Sequence, residues 1–312
     1  MNVIKTEALS KEYKTHFWSK RATVLNNLNL EVEEGEIFGF LGPNGAGKTT
    51  TIKILLNIIY PTSGKAWLFE KDVKEAEIKK EVGFMPENPY FYEYLTAEEF
   101  LDFYGRLFGF SKKERQKKIE ELLELVELKD VRDLPLRKFS RGMLQRIGIA
   151  QALMNNPKLV ILDEPLSGLD PLGRKDIKDL ILKLKKEGKT IFFSSHILPD
   201  AEMLCDRVGI IVKGKLLSVG RLDELLSAKV KSIELTVAGL KEEEIEKISP
   251  FASLLVKSGE KTLFNFDNEE KLQNAIQVVK STEAQIISLA QQKESLEDYF
   301  SRRIKEEENV QN

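Results

Sequence analysis

The stretch Gly42-Pro43-Asn44-Gly45-Ala46-Gly47-Lys48-Thr49 fits the pattern G-x-x-x-x-G-K-[ST], whose chemistry is the cradling of phosphate oxygens. Glycines at these positions let the backbone curl so that successive N–H groups point inward. Lys48 offers a cation to the outer phosphates, and the Thr49 hydroxyl is a hard oxygen ligand of the kind Mg²⁺ prefers. Such a loop must join a strand to a helix. Glu36-Ile37-Phe38-Gly39-Phe40-Leu41 reads as a buried strand, and from Thr50 to Tyr60 the residues Ile52, Leu55, Leu56 and Ile59 share one helical face. The start of that helix adds its partial positive charge to the loop. Asn44, Gly45, Ala46, Gly47, Lys48, Thr49 and Thr50 are therefore the candidate phosphate contacts.

A second chemical feature closes another buried strand. Leu159-Val160-Ile161-Leu162 ends in Asp163-Glu164, a carboxylate pair suited to a Mg²⁺-associated site, and Lys189 to Ser195 repeats the format with His196 at its end. Strands alternating with helices around a strand–loop–helix phosphate site predict an α/β fold with a mostly parallel sheet and the ligand at the strands' carboxyl ends. Residues 3–41 predict three strands, Ser63-Gly64 a turn, and Ala66–Phe69 and Val82–Met85 two more strands. From about 88 to 153 the periodicity is helical, opened by two capping boxes, Thr96-x-x-Glu99 and Ser111-x-x-Glu114. There Phe100, Phe103, Tyr104, Leu107 and Phe108 form one apolar stripe, read as the core of a small helical subdomain. Val208–Val212 and Leu216–Val219 around Lys213-Gly214-Lys215 predict a hairpin.

The chain is predicted to divide into residues 1–228 and a small α+β domain over 229–312. Short strands at Ser232–Val237 and Thr262–Phe266 and helices at Glu269–Lys280 and Ser295–Lys305 mark the latter. Residues 231–312 carry 11 basic and 16 acidic side chains, a surplus of five acidic, and show no catalytic constellation, which suggests regulation or dimer support. Across all 312 residues, 48 Lys and Arg against 50 Asp and Glu leave a net charge of −2, so no global basic field favours nucleic acid. No signal-like start and no membrane-length apolar run is present, so the chain reads as cytosolic. Cys205, the sole cysteine, reads as a small core residue on a helix, and His16 as an exposed one.

With Asp163, Glu164 and His196 added to the loop, and Phe139-Ser140-Arg141-Gly142-Met143 and Ser167-Gly168-Leu169-Asp170 between them, residues 1–225 resemble an ATP-binding-cassette (ABC) ATPase. The first of those segments resembles the family's signature, normally Leu-Ser-Gly-Gly-Gln, and the second its D-loop. The resemblance implies a P-loop cassette with an antiparallel β subdomain and a helical subdomain, binding ATP and Mg²⁺ between two copies arranged head to tail. It further implies Lys48, Thr49 and Asp163 on the phosphates and Mg²⁺, Glu164 as general base, and His196 on the γ-phosphate. Ser140, Gly142 and Asp170 would serve the partner's site, and Tyr13 would stack on adenine unless Phe17 or Trp18 does so instead. Three positions depart from the common pattern: Glu87, where most cassettes carry Gln near nucleotide and metal, Arg141 for the signature's first Gly, and Met143 for its Gln. Single-cassette export ATPases of the drug-, bacitracin- and sodium-efflux types are similar, including a C-terminal stretch like Ser295-Leu296-Glu297-Asp298-Tyr299-Phe300. The implied partners are a separate multi-span membrane permease and a second cassette, at the inner face of the cell membrane. The competing expectation is a soluble ABC ATPase of DNA repair, chromosome structure or the ribosome. It lacks support in the long heptads, metal-binding cysteines or tandem cassettes those classes would show.

Overall fold

The computed structural model describes residues 1–14, 21–226 and 230–311, so His16, Phe17 and Trp18 lie outside the described residues. Two compact units emerge, Met1–Leu222 and Asp223–Asn312. The sequence reading puts the division a few residues later, at 228/229.

The first unit opens with β1 (Asn2–Lys14), β2 (Arg21–Glu33) and β3 (Ile37–Leu41), and the phosphate loop then leads into α1 (Lys48–Leu55). Next come β4 (Ser63–Leu68), β5 (Lys71–Asp72) and β6 (Val82–Met85), then three helices, α2 (Ala97–Leu107), α3 (Lys112–Leu125) and α4 (Arg141–Ala152). The unit continues with β7 (Leu159–Asp163), α5 (Pro171–Lys186), β8 (Thr190–Ser195), α6 (Leu198–Leu204), β9 (Arg207–Val212) and β10 (Lys215–Arg221); α7 (Leu222–Leu226) begins at the division. One antiparallel sheet runs β2-β1-β4-β5. The other runs β10-β9-β3-β8-β7-β6, parallel except for the β9–β10 hairpin. Every residue of β3, β7 and β8 is buried, as apolar runs covered on both faces should be. Leu28, Leu30 and Val32 of β2 share a core with Phe38, Phe40, Ile52, Leu55 and Ile161, and the Phe38 ring stacks on Phe192 at 5.8 Å. Strand ends carrying chemistry are thereby anchored in rigid packing.

Some local expectations change. The helix after the loop stops at Leu55, because Asn57 turns to φ 54° and its N–H bonds Ile54 O, three residues back. Leu56 and Ile59 still pack on the core from irregular chain. Ser63-Gly64 begins β4, with Gly64 at φ 82° pressed against the Ala8 backbone where β1 bulges. Both capping boxes form, Thr96 with Glu99 and Ser111 with Glu114. Of the aromatic stripe, Phe100 is buried, whereas Leu107 and Phe108 at the end of α2 are exposed. Cys205 follows α6 with its thiol toward Gly39, and burial pushes the thiol's pKa well up. Among the described residues no helix is long and apolar enough to cross a membrane.

The second unit comprises β11 (Val230–Ala238), α8 (Glu242–Ile248), β12 (Leu254–Ser258), β13 (Lys261–Phe266), α9 (Glu269–Lys280), β14 (Gln285–Lys293) and α10 (Leu296–Gln311). Its antiparallel sheet runs β12-β13-β11-β14. Ile233, Leu235, Val237, Phe264 and Phe266 on one face pack against Ile245, Ile248, Leu272, Ala275 and Val279 from α8 and α9. This is the α+β unit expected, with β12, β14 and α8 added.

Candidate functional site

The loop is held in place from three sides. Gly42 N–H donates to Ser195 O (3.1 Å), Gly214 N–H donates to Ala46 O (2.9 Å), and the Thr51 hydroxyl donates to Gly47 O (3.0 Å). Gly45 and Gly47 take φ of 78° and 112°, the left-handed region that only glycine enters without strain. Gly47 caps α1 without a side chain, and no acidic residue lies in the first turn, so nothing in the helix cancels its N-terminal field. The open cleft above, about 250 Å³, is lined by Val24, Asn44 to Thr50, Glu87 and Glu164.

Lys48 is buried, and its ammonium donates to Gly42 O (2.6 Å) and Pro43 O (3.2 Å). It also lies 3.2 Å from Glu164 Oε1, while Glu164 Oε2 stands 2.8 Å from His196 Nδ1. An ionised carboxylate can only accept, so with Glu164 charged the proton of that hydrogen bond belongs to His196 Nδ1. Glu164 sits one residue past β7 at φ 51°, an uncommon conformation for a residue with a side chain. Its N–H donates to Ser194 Oγ (3.0 Å), and Ser194 Oγ donates to Asp163 Oδ1 (2.5 Å), all three residues being buried. Ser194 thus ties the Asp163 carboxylate and the Glu164 backbone to β8, a role the sequence reading missed. The role follows from register: β7 and β8 are parallel, with Asp163 opposite Ser194. Val24, on the lip, was missed as well.

The remaining candidates are distributed more widely. Glu87, exposed on the bend after β6, lines this cleft and also a second one of about 360 Å³ bounded by Arg141 and Gln145. Ser140 caps α4, accepting from Met143 N–H at 3.3 Å. A Cβ at Gly142 would meet no atom within 4 Å, so nothing in this chain requires glycine there. Neither Ser140 nor Gly142 lines the phosphate cleft. The Asp170 carboxylate caps α5 through Gly173 N–H (3.0 Å). Tyr13 pairs with Ala22 at the end of β1, 39% exposed, with the Lys11 ammonium 5.0 Å from its ring centre, and it is absent from the cleft's lining.

The family described as ABC transporter matches residues 25–167. An uncharacterised ABC transporter ATP-binding protein of Synechocystis sp. is 45% identical over 308 residues, 98% of this chain and 85% of its own length. The chain belongs to the ABC transporter ATP-binding proteins. The bacitracin transport ATP-binding protein BcrA of Bacillus licheniformis is 45% identical over 74% of each chain. A dimeric ATP-binding cassette solved in a post-hydrolysis state with ADP and Pi superposes with a TM-score of 0.64, 28% identical over 70% of this chain and 98% of its own. The cassette is therefore an ATP-binding, ATP-hydrolysing transporter subunit of P-loop α/β fold.

Proposed function

We propose that ATP binds at the Gly42–Thr49 loop and is hydrolysed there by Glu164, and that two cassettes closing head to tail drive export through a separate multi-span permease at the inner membrane face. The observation that carries this reading is the position of Glu164, held between Lys48 and His196 at the mouth of the phosphate cleft. A general base must be fixed beside the attacking water, and a carboxylate gripped on both oxygens is fixed. Lys48 serves the outer phosphates, and His196 steadies the base and meets the γ-phosphate. Asn44 to Thr50 supply backbone N–H donors at the uncancelled helix start.

Thr49 and Asp163 suit Mg²⁺, a hard cation that takes few protein oxygens and keeps its waters. Asp163 has one oxygen engaged by Ser194, which leaves the other for the ion or its water. Bound there, Mg²⁺ neutralises charge on the β- and γ-phosphates. Glu87 lines the cleft and would touch nucleotide or metal-bound water. Ser140 and Gly142 serve the partner's γ-phosphate, a reading supported by the open space before Gly142. Asp170 serves that site through the backbone its carboxylate fixes, and Tyr13 stacks on adenine once the base extends past the lip. Relatives named for bacitracin transport and linearmycin resistance favour export. The 229–312 domain assists pairing or regulation.

Glu164→Gln tests the core of this reading. ATP binding should persist while turnover falls by roughly 10²–10⁴, the loss expected for a positioned base. Turnover within threefold of wild type would remove Glu164 from the role.

A further inference from the structure

Arg141 occupies the first position of α4, between Ser140 and Gly142, and among the described residues it makes no hydrogen bond or ion pair. Its guanidinium lies directly over Gly168: a Cβ at that glycine would overlap the Arg141 Cζ and both terminal nitrogens. Gly168 has φ 68°, a backbone conformation that calls for glycine. One helical turn along the same face of α4, Gln145 Nε2 donates to Pro165 O at 2.8 Å in a buried hydrogen bond. The face made by residues 141 and 145 therefore grips the Pro165–Asp170 segment at two points. From the other side, Arg174 Nε of α5 donates to Leu169 O (3.1 Å), and Asp170 caps that helix.

We propose that Arg141 is a positioning residue which seats the Ser167–Asp170 loop against the start of α4, so that the two segments facing a partner's nucleotide move as one body. A guanidinium suits the task because it is flat, weakly hydrated and able to lie on a peptide plane, which a compact ammonium cannot do. The inference rests on the head-to-tail reading for its effect on turnover, but not for the clamp itself.

Two measurements separate those parts. In Arg141→Ala, amide hydrogen exchange at Ser167–Leu169 of the full-length protein should rise about fivefold or more, with the interior of α4 unchanged, because one of the loop's anchors is lost. Arg141→Lys should recover less than half of the protection, which distinguishes a planar seat from a simple positive charge. In steady-state hydrolysis, Arg141→Ala should lower kcat by about three- to tenfold with KM for ATP within twofold, since the chain's own phosphate loop is untouched. Unchanged exchange at Ser167–Leu169, or full recovery by lysine, overturns the clamp. Raised exchange with unchanged kcat overturns the claim that the clamped segments act together on the partner's site.

Discussion

Removing one oxygen atom by Ser194→Ala should weaken both the fold and the chemistry, by amounts that the geometry sets. Ser194 Oγ is fully buried, donates to Asp163 Oδ1 at 2.5 Å and accepts from Glu164 N–H at 3.0 Å. Losing a hydrogen bond to a charged group costs about 1.5–3 kcal/mol, and an unsatisfied buried N–H costs about 1–3 kcal/mol. A water that partly fills the gap offsets some of this, so the expected loss is about 2–4 kcal/mol. For a unit of this size each kcal/mol shifts Tm by about 2–4 °C, and the variant should melt about 4–16 °C below wild type. Glu164 would also lose the anchor that maintains its φ of 51°, and a displacement of the proposed base by about 1 Å costs up to ~10²-fold in rate. Differential scanning fluorimetry and steady-state hydrolysis read the two effects, with ATP affinity expected within about threefold because Lys48 is unaltered. Ser195→Ala is the control: its hydroxyl accepts from Ile197 N–H (2.9 Å) and donates to Ile197 O (3.5 Å), both within its own turn, so it should cost about 1 kcal/mol. If Ser194→Ala melts within 2 °C of wild type and keeps its turnover, or if Ser195→Ala is equally damaging, the pivot assigned to Ser194 is wrong.

Three further outcomes are expected. Glu87→Gln should leave basal hydrolysis within about tenfold, a barrier change of no more than about 1.4 kcal/mol, because Glu87 lines the cleft from an exposed bend; a larger loss in a phosphate-release assay would give Glu87 the base's role instead. Burial raises the Glu36 pKa in the folded chain against the opposing pull of Glu33 N–H and Arg207, so its contribution to stability is present at low pH and lost as pH rises through the folded value; melting curves should show Glu36→Gln gaining on wild type from pH 4 to pH 7, and a constant difference would refute the shift. Deleting residues 231–312 should leave ATP binding by the folded remainder intact by fluorescent-nucleotide titration, since the phosphate cleft is lined wholly by first-unit residues; loss of binding would overturn the assigned division.

The features most legible in the sequence are those whose physics is local. The phosphate loop needs glycines of unusual φ at 45 and 47, the capping boxes need a three-residue spacing, and Lys213-Gly214 adopts φ of 48° and 78°, the conformation a two-residue hairpin demands. Asp163, Glu164 and His196 were readable because each ends an apolar run. Ser194 was not, because its role depends on which strands are neighbours, a fact of topology rather than of spacing. The end of α1 escaped for a related reason: Leu56 and Ile59 keep helical periodicity, while a positive φ at Asn57 decides the geometry. In the second unit, β14 carries Ile286, Ile287 and Leu289, all about half exposed, on an edge strand without alternation, so no period marks it. Asp170 shows a different limit, since the carboxylate the family resemblance assigns to a partner's site is already engaged as the cap of α5.

The arrangement of Lys48 and Glu164 carries a consequence for the order of events in hydrolysis. The buried ammonium is shared among Gly42 O, Pro43 O and Glu164 Oε1, so it already has three acceptors before any phosphate is considered. A γ-phosphate offers it a more highly charged acceptor, and the ammonium cannot satisfy that acceptor and the carboxylate equally at full strength. On the proposed reading, phosphate binding weakens the Lys48–Glu164 pair while His196, on the other carboxylate oxygen, keeps Glu164 in place. On that reading, the contact that changes on substrate binding is therefore the one to Lys48, while the one to His196 keeps the carboxylate beside the cleft.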